Sequence, residues 1–266
     1  MATSQTALIT GASSGIGFEL ARCFARDGHR LILSAREQAG LQEAEQKLKS
    51  EFPELQSTSI AADLSTHEGP QQLYDAVKAQ GLQVDILVND AGFGEAGLFT
   101  ETDLQKEIGI VHVNVMSLMY LTKLYLRDMV ARNSGKIMQL GSVVSFLPNP
   151  RQAVYAATKA FVLSLSEALQ QELKEQQSDV AITVLCPPAT ETNFFKVAGA
   201  EDTKIGQSKK ATPEEVAEAG YKGLLAGEAR VLPTFGAKMN FASSVFFPDS
   251  MLATMMDMQM QPEEKK

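Results

Sequence analysis

Short runs rich in Leu, Ile and Val recur along the chain, separated by longer stretches in which apolar and polar residues trade places with a helical rhythm. The short runs fall at 7–10, 30–34, 57–61, 84–88, 136–140 and 180–185. Each has strand length, and between them segments such as 18–27, 38–51 and 69–80 fit a period of about 3.6 residues. Strands alternating with helices of this size build right-handed βαβ units and a parallel sheet covered on both faces. The pattern continues without a break in composition. It predicts one doubly wound α/β domain over 1–266, with six strands and a seventh candidate at 230–232. Thr212-Pro213-Glu214-Glu215 reads as a helix start. Two stretches stand outside the alternation: 187–211 after the sixth strand, and a Phe- and Met-rich tail over 239–266.

Composition narrows the setting. Apolar residues make up 44% and charged residues 21%, the balance of a folded globular chain. With 24 Lys+Arg against 32 Asp+Glu the net charge is -8, which argues against nucleic-acid binding. No uninterrupted run approaches the ~18 apolar residues of a membrane span, so no membrane association is expected. The first residues carry neither a basic nor an apolar leader segment. Cys23 and Cys186 are too few for a disulfide framework and too far apart for a CxxC motif. A cytoplasmic, reduced protein is the expectation. His29, His67 and His112 show no metal-ligand spacing, and no metal site is expected.

The first strand runs into Thr10-Gly11-Ala12-Ser13-Ser14-Gly15-Ile16-Gly17, and an amphipathic helix follows. Glycines let a backbone turn sharply and approach a pyrophosphate, while a helix N-terminus offers free N–H groups and partial positive charge. Placed between a strand and a helix, the turn points to a dinucleotide. Binders of NAD usually carry an acidic residue about 20 positions past this loop to take the ribose hydroxyls. Here the second strand ends Ser34-Ala35-Arg36, with no carboxylate and a guanidinium suited to a 2′-phosphate. Such a charge-assisted bond is worth ~1.5–3 kcal/mol, or a ten- to hundred-fold preference for NADP(H).

The fifth strand ends at Gly141-Ser142, and thirteen residues past the serine stands Tyr155-Ala-Ala-Thr-Lys159. Tyr and Lys at i and i+4 share a helix face. At ~6 Å and an effective dielectric of ~20 their attraction is about 3 kcal/mol, roughly two pKa units off a phenol near ~10. That would bring the phenol toward the range useful for proton transfer, with Ser142 placed to hold a carbonyl oxygen.

With these motifs the chain resembles the short-chain dehydrogenase/reductase family over nearly its whole length. Residues 10–17 match the family's TGxxxGxG loop, and Asp63-Leu64 is similar to its adenine-contacting pair. Asn89-Asp90-Ala91-Gly92 resembles the NNAG segment, and Asn114 stands where the family has a catalytic asparagine. The resemblance implies a Rossmann-type fold, an NADP(H) cofactor and a tetrad of Asn114, Ser142, Tyr155 and Lys159. Tyr155 would be the general acid for reduction, Ser142 would polarise the carbonyl, Lys159 would lower the tyrosine pKa and hold the ribose, and Asn114 would anchor a relay water. Gly11, Ser13, Ser14, Gly15, Ile16, Gly17, Arg36, Asp63, Leu64, Asn89, Ala91, Pro187, Thr190 and Thr192 would join Tyr155 and Lys159 around the cofactor. Two positions depart from the family pattern. Asp90 replaces an asparagine and loses its donors, and Pro188 removes an N–H where glycine is usual.

Phe93, Phe99, Phe194, Phe195 and Val197 would line the mouth of the site, which suggests a hydrophobic aldehyde or ketone as the small-molecule partner, reduced to its alcohol or the reverse. The 187–211 stretch would form a substrate loop or lid. Met251, Leu252, Met255 and Met256 repeat at helical spacing after Pro248, and predict a subunit contact, with own-core packing as the rival. The resemblance implies a homodimer or homotetramer. The competing reading is a non-catalytic NADP(H)-sensing regulator on the same fold; the intact tetrad favours the enzyme.

Overall fold

The computed structural model describes residues 5–263. Seven parallel strands form one sheet in the order β3-β2-β1-β4-β5-β6-β7. They are β1 Thr6–Thr10, β2 Arg30–Ala35, β3 Ser57–Ala61, β4 Ile86–Asn89, β5 Lys136–Leu140, β6 Ala181–Leu185 and β7 Arg230–Val231. All the expected strands are present, and the seventh is only two residues long. Its pairing of Val184 with Arg230 and Leu185 with Val231 closes that edge of the sheet.

Burial on both faces explains the near-continuous apolar strands. Along β1 the side chains alternate: Ala7 and Ile9 join one core layer and Leu8 the other. The first layer lies under α1 (Gly15–Arg26), α2 (Gln38–Glu51) and α9 (Pro213–Ala226), with Leu20, Phe24, Leu41 and Val216 at or near zero exposure. The second lies under α3 (Gly69–Ala79), α5 (Leu118–Ala131) and α6 (Ala153–Glu175), with Leu73, Val77, Leu121, Tyr125 and Met129. Each such side chain removed from water contributes ~1.5–3 kcal/mol. The expected start of α9 is as read: the Thr212 hydroxyl accepts the Glu215 N–H at 3.1 Å, and Pro213 occupies the first turn.

Between α4 (Leu104–Val111) and α5 lies a π-helical turn, His112–Ser117, so Leu104–Ala131 runs as one 28-residue helical rod. This rod is long and apolar enough to cross a membrane by length and composition alone, a test that a core helix also passes, although no uninterrupted apolar run of that length is present in it. Isolated polar residues such as Lys106, Glu107 and Asn114 break the run without lowering the average far. Its inner side, including Ile110, Leu121, Tyr125 and Met129, is buried within the fold.

β1 is flanked by β2 on one side and β4 on the other. The crossovers leave in opposite directions here, which opens a crevice at the carboxyl ends of the strands. Above it sit α7 (Phe194–Val197) and α8 (Lys204–Gln207), both within the 187–211 stretch, and the tail, which forms α10 (Phe235–Phe246) and α11 (Asp249–Met260). Helix α11 turns Leu252, Met256 and Met260 inward and leaves Met251, Met255 and Met258 exposed. One face of the tail therefore packs on its own chain.

Candidate active site

Thr10 ends β1 and ties the turn to the next strand. Its hydroxyl donates to the Val88 carbonyl at 3.3 Å and accepts the N–H groups of Asp90 and Ala91, both at 3.1 Å. Gly11 and Gly15 have φ of +72° and +60°, values that an L side chain resists. The turn delivers the chain to Ser14, the extended N-cap of α1. Ser13 and Ile16 are partly buried there, and Ser14 is exposed.

Asp90 sits inside this turn. Its carboxylate accepts the Gly17 N–H, and a Cβ added at Gly11 would lie 2.7 Å from its Oδ2. The loss of asparagine's donors is thus met by an acceptor role. Burial pushes the Asp90 pKa up to about 7, while the nearby Lys159 charge holds it down. A carboxyl with a raised folded-state pKa binds its proton more tightly folded than unfolded. Its contribution to stability is fully present below the ordinary value of 3.8 and is lost as pH rises through about 7. From pH 5 to pH 8 the wild-type melting temperature is expected to fall relative to that of Asp90→Asn, by ~2–4 °C for each ~1 kcal/mol of linkage. Parallel melting profiles in scanning calorimetry would remove this role from Asp90.

The tetrad assembles from three elements. Ser142 follows β5 and caps the 3₁₀ turn Val143–Ser145; its hydroxyl accepts the Val144 N–H at 3.3 Å and hydrogen-bonds the Tyr155 phenol. The Ser145 hydroxyl accepts the Ser142 N–H at 3.2 Å and donates to the Lys159 carbonyl at 2.8 Å, which fixes this turn against α6. Lys159 Nζ donates to the Leu140 carbonyl at 2.6 Å and stands 5.7 Å from the Tyr155 ring centre. Asn114, 1% exposed on the π-helical turn, accepts the Phe93 N–H at 3.2 Å. Its Nδ2 donates to the Phe93 carbonyl at 3.0 Å and to Thr158 Oγ1 at 3.1 Å. Through these bonds the Asn114 side chain ties the segment after β4 to α6.

One electrostatic expectation is reversed. Burial pushes the Tyr155 phenol above its ordinary value; the Ser142 hydrogen bond opposes this, and the Asp90 charge adds to it. Lys159 is itself pushed down to about 8 by burial, with Asp90 partly restoring it. A Coulomb estimate at a uniform dielectric omits the cost of desolvating the phenolate, and here that cost dominates.

A cleft of about 860 Å³ runs from Gly11 and Ile16, past Ala91, to Ser142, Tyr155 and Lys159, with Pro187, Thr190 and Thr192 along its opposite wall. The Pro187 carbonyl accepts the Val143 N–H at 3.0 Å, so the proline at 188 leaves this wall joined to the β5 turn. Thr190 Oγ1 donates to the Pro188 carbonyl at 2.8 Å, and Thr192 Oγ1 accepts the Phe194 N–H at 3.3 Å. Five expected cofactor residues lie outside the cleft walls, and the first of them, Gly17, is buried inside the turn. Arg36 extends into solvent past β2 beside Glu37, 3.3 Å away. Asp63 accepts the backbone and hydroxyl of Ser65, and its pKa is held down mainly by those bonds and further by the Arg36 charge. The Leu64 side chain is in the core, and its carbonyl accepts the Ser117 hydroxyl at 2.6 Å. Asn89 points inward, donating to Thr122 Oγ1 at 3.1 Å and Gln139 Oε1 at 3.0 Å. Asn89 thus links β4 to β5 and α5 rather than facing a ligand; an asparagine ending a buried strand carried that signal.

The family model for short chain dehydrogenases matches residues 5–203, which carry the turn, the tetrad and most of the cleft. The chain belongs to the short-chain dehydrogenase family. It is similar to human dehydrogenase/reductase SDR family member 11, 32% identical over 81% of this chain and 86% of that one. A Sphingobium yanoikuyae short-chain dehydrogenase solved with NADPH is 29% identical, with a TM-score of 0.79 over 98% of this chain and 99% of that chain. A bulky-bulky ketone specific alcohol dehydrogenase of Comamonas testosteroni is 28% identical, with a TM-score of 0.76 over 91% of each chain. The protein is an oxidoreductase of this family.

In this short-chain dehydrogenase the cleft carries a laced roof that extends past the matched residues into the tail. The Ala96 N–H donates to the Ala198 carbonyl at 2.8 Å, and the Lys204 N–H to the Gln261 carbonyl at 2.9 Å. Arg151 Nε meets Asp257 Oδ1 of α11 at 2.9 Å. Phe194 packs on Tyr155 with ring centres 4.9 Å apart, and a Cβ at Gly94 would come within 3.0 Å of the Phe194 ring. Among the described residues no group of three or more His, Cys, Asp or Glu could hold a metal ion.

Proposed function

We propose that this protein is an NADP(H)-dependent carbonyl reductase acting on hydrophobic ketones or aldehydes. The observation that carries the reading is the Tyr155 phenol, hydrogen-bonded to Ser142 and beside Lys159, in the wall of a largely apolar cleft. The dinucleotide fit rests on the glycine turn, where added side chains at Gly11 and Gly17 would collide with their surroundings.

In that reading Gly11, Ser13, Ser14, Gly15, Ile16 and Gly17 hold the pyrophosphate through the turn and the start of α1. Asp63 and the backbone of Leu64 meet the adenine, and Ala91, Pro187, Thr190 and Thr192 border the nicotinamide half. When bound, the nicotinamide supplies the hydride. Ser142 orients the carbonyl oxygen and Tyr155 donates the proton to it. With its pKa raised, the phenol is protonated at neutral pH, the state from which it donates. Lys159, charged below about 8, places positive charge beside the developing alkoxide and holds the ribose. Asn114 keeps the floor of the site in place through Phe93 and Thr158. The 187–211 stretch and α11 act as the lid. The exposed outer face of the tail, with Phe235 and Phe246 nearby, supports a homodimer or homotetramer.

The relatives' NADPH complex and ketone specificity support this choice. So does Arg36, exposed at the end of β2 beside Glu37, with Ala35 where a carboxylate would take the ribose hydroxyls. Absorbance loss of NADPH with a panel of ketones and aldehydes tests the activity. Arg36→Ala is expected to raise the KM for NADPH about ten- to a hundred-fold and leave NADH nearly unchanged. Equal losses with both cofactors would assign Arg36 to the fold.

A further inference from the structure

Between Ser142 and Tyr155 the chain makes a tight turn whose side chains have no part in the proton transfer described above. Asn149 and Gln152 are 5% and 6% exposed, and both line the cleft. The Gln152 N–H donates to the Asn149 carbonyl at 3.2 Å, and Gln152 then serves as the N-cap of α6. Arg151 between them takes a φ of +64°, and its guanidinium ties the turn to Asp257 on the roof helix. This segment is built rigidly and covered from above.

The two amides bond each other, Asn149 Nδ2 donating to Gln152 Oε1 at 3.1 Å. Asn149 Oδ1 and Gln152 Nε2 are buried and have no partner among the described residues. Turning both amides over would exchange the roles but leave the same remainder, one free acceptor and one free donor. Buried polar groups are ordinarily satisfied, so a pair left one donor and one acceptor short at a cleft wall is matched to something that enters the cleft. A hydroxyl matches both, because it accepts from one amide and donates to the other. A ketone or ether oxygen matches only the donor. The pair is also close to the chemistry, since Gln152 stands three residues before Tyr155 at the start of the same helix, a separation of ~5–6 Å between side-chain origins.

We infer that Asn149 and Gln152 form a second polar anchor, which selects carbonyl substrates bearing a hydroxyl a few bonds from the reacting carbon. The inference deepens the reductase reading above and rests on it. The apolar cleft then supplies burial, and the anchor supplies orientation. A substrate without the hydroxyl leaves two buried groups unpaired, which a site of this kind discriminates against strongly.

The test uses the full-length protein with propiophenone, β-hydroxypropiophenone and β-methoxypropiophenone as matched probes. In the wild type kcat/KM for the hydroxy ketone is expected to exceed that for propiophenone by about 10–100-fold, with the methyl ether no better than the parent. In Gln152→Met and Asn149→Leu that ratio is expected to fall to within about twofold of unity, chiefly through KM. NADPH binding followed by fluorescence checks that each variant is folded. A change confined to folding would scale all three ketones together and leave the ratio intact, which overturns the anchor. So does a wild type that shows no preference for the hydroxyl. If no ketone or aldehyde is turned over with either NADPH or NADH, the reductase reading itself fails and the anchor falls with it; reduction of propiophenone without hydroxyl preference defeats the anchor alone.

Discussion

Tyr155→Phe is expected to retain NADPH binding and lose about 10²–10⁴ in turnover, the usual worth of one positioned general acid. The change removes one oxygen. Phe194 still packs against the ring, whose centre lies 4.9 Å away, and Lys159 keeps its bond to the Leu140 carbonyl, so the cleft keeps its shape. What disappears is the proton donor and its hydrogen bond to Ser142. Steady-state kinetics paired with a fluorescence titration of NADPH separate the two properties. Turnover within a few-fold of wild type would take proton transfer away from Tyr155, and equal loss of binding and turnover would make the residue structural.

The second large effect is expected at Gly17. A Cβ there would lie 2.5 Å from the Gly11 carbonyl oxygen and 2.5 Å from Asp90 Oδ2. The carboxylate has some freedom to swing away. The Gly11 carbonyl has little, because it belongs to a turn with φ of +72° anchored by the Thr10 hydroxyl. Gly17→Ala should therefore force the turn apart, at the ~1–3 kcal/mol typical of overpacking. Dinucleotide affinity is expected to fall by about 5–150-fold, that cost converted at ~1.4 kcal/mol per tenfold. Adding Asp90→Ala should recover little, because the backbone collision persists. Gly40→Ala is the control: an added Cβ there meets Ser13 Cβ at 3.4 Å and Ser13 Oγ at 4.0 Å, ordinary contacts. Wild-type affinity in Gly17→Ala, measured by calorimetric titration, would show that the turn adapts and is not a rigid cradle.

These variants sit on features of different legibility. Gly17, Tyr155 and Lys159 are readable because each belongs to a short local pattern: a strand, a turn and a helix in one case, an i, i+4 pair in the other. Asn89 was read as a cofactor residue because it begins a segment resembling the family's, yet its side chain faces Thr122 and Gln139. Whether a strand-end residue faces the cleft or the core follows from pleat and pairing register. The register Asn89 to Gln139 is a relation between strands fifty residues apart. The Leu64 side chain likewise fills the core, a placement that pairing alone decides and that leaves its backbone for any cofactor contact.

The tail shows the limit from another direction. Its Met and Leu spacing predicts a helix, and a subunit contact for its apolar side with own-core packing as the rival. In the fold, Leu252 and Met256 pack with Val144, Leu147 and Ala156, while Met260 packs with Phe195, Ala198 and Ala200. The helix is thereby seated on the two walls of the cleft. Periodicity defines a face without naming what covers it.

By itself the sequence determined the sheet, its helices, the glycine turn, the Tyr–Lys pair and the absence of a carboxylate at Ala35, because each depends on residues close together in the chain. Only the tertiary structure decided the protonation of the site, the seat of Asp90, the roof over the cleft and the unpaired amides of Asn149 and Gln152. Burial pushes Tyr155 and Asp90 up and Lys159 down, and that burial is created by β1, β4, β5 and α6 converging from distant parts of the chain. Desolvation and hydrogen-bond completion are properties of what surrounds a group in space, and no local pattern carries them.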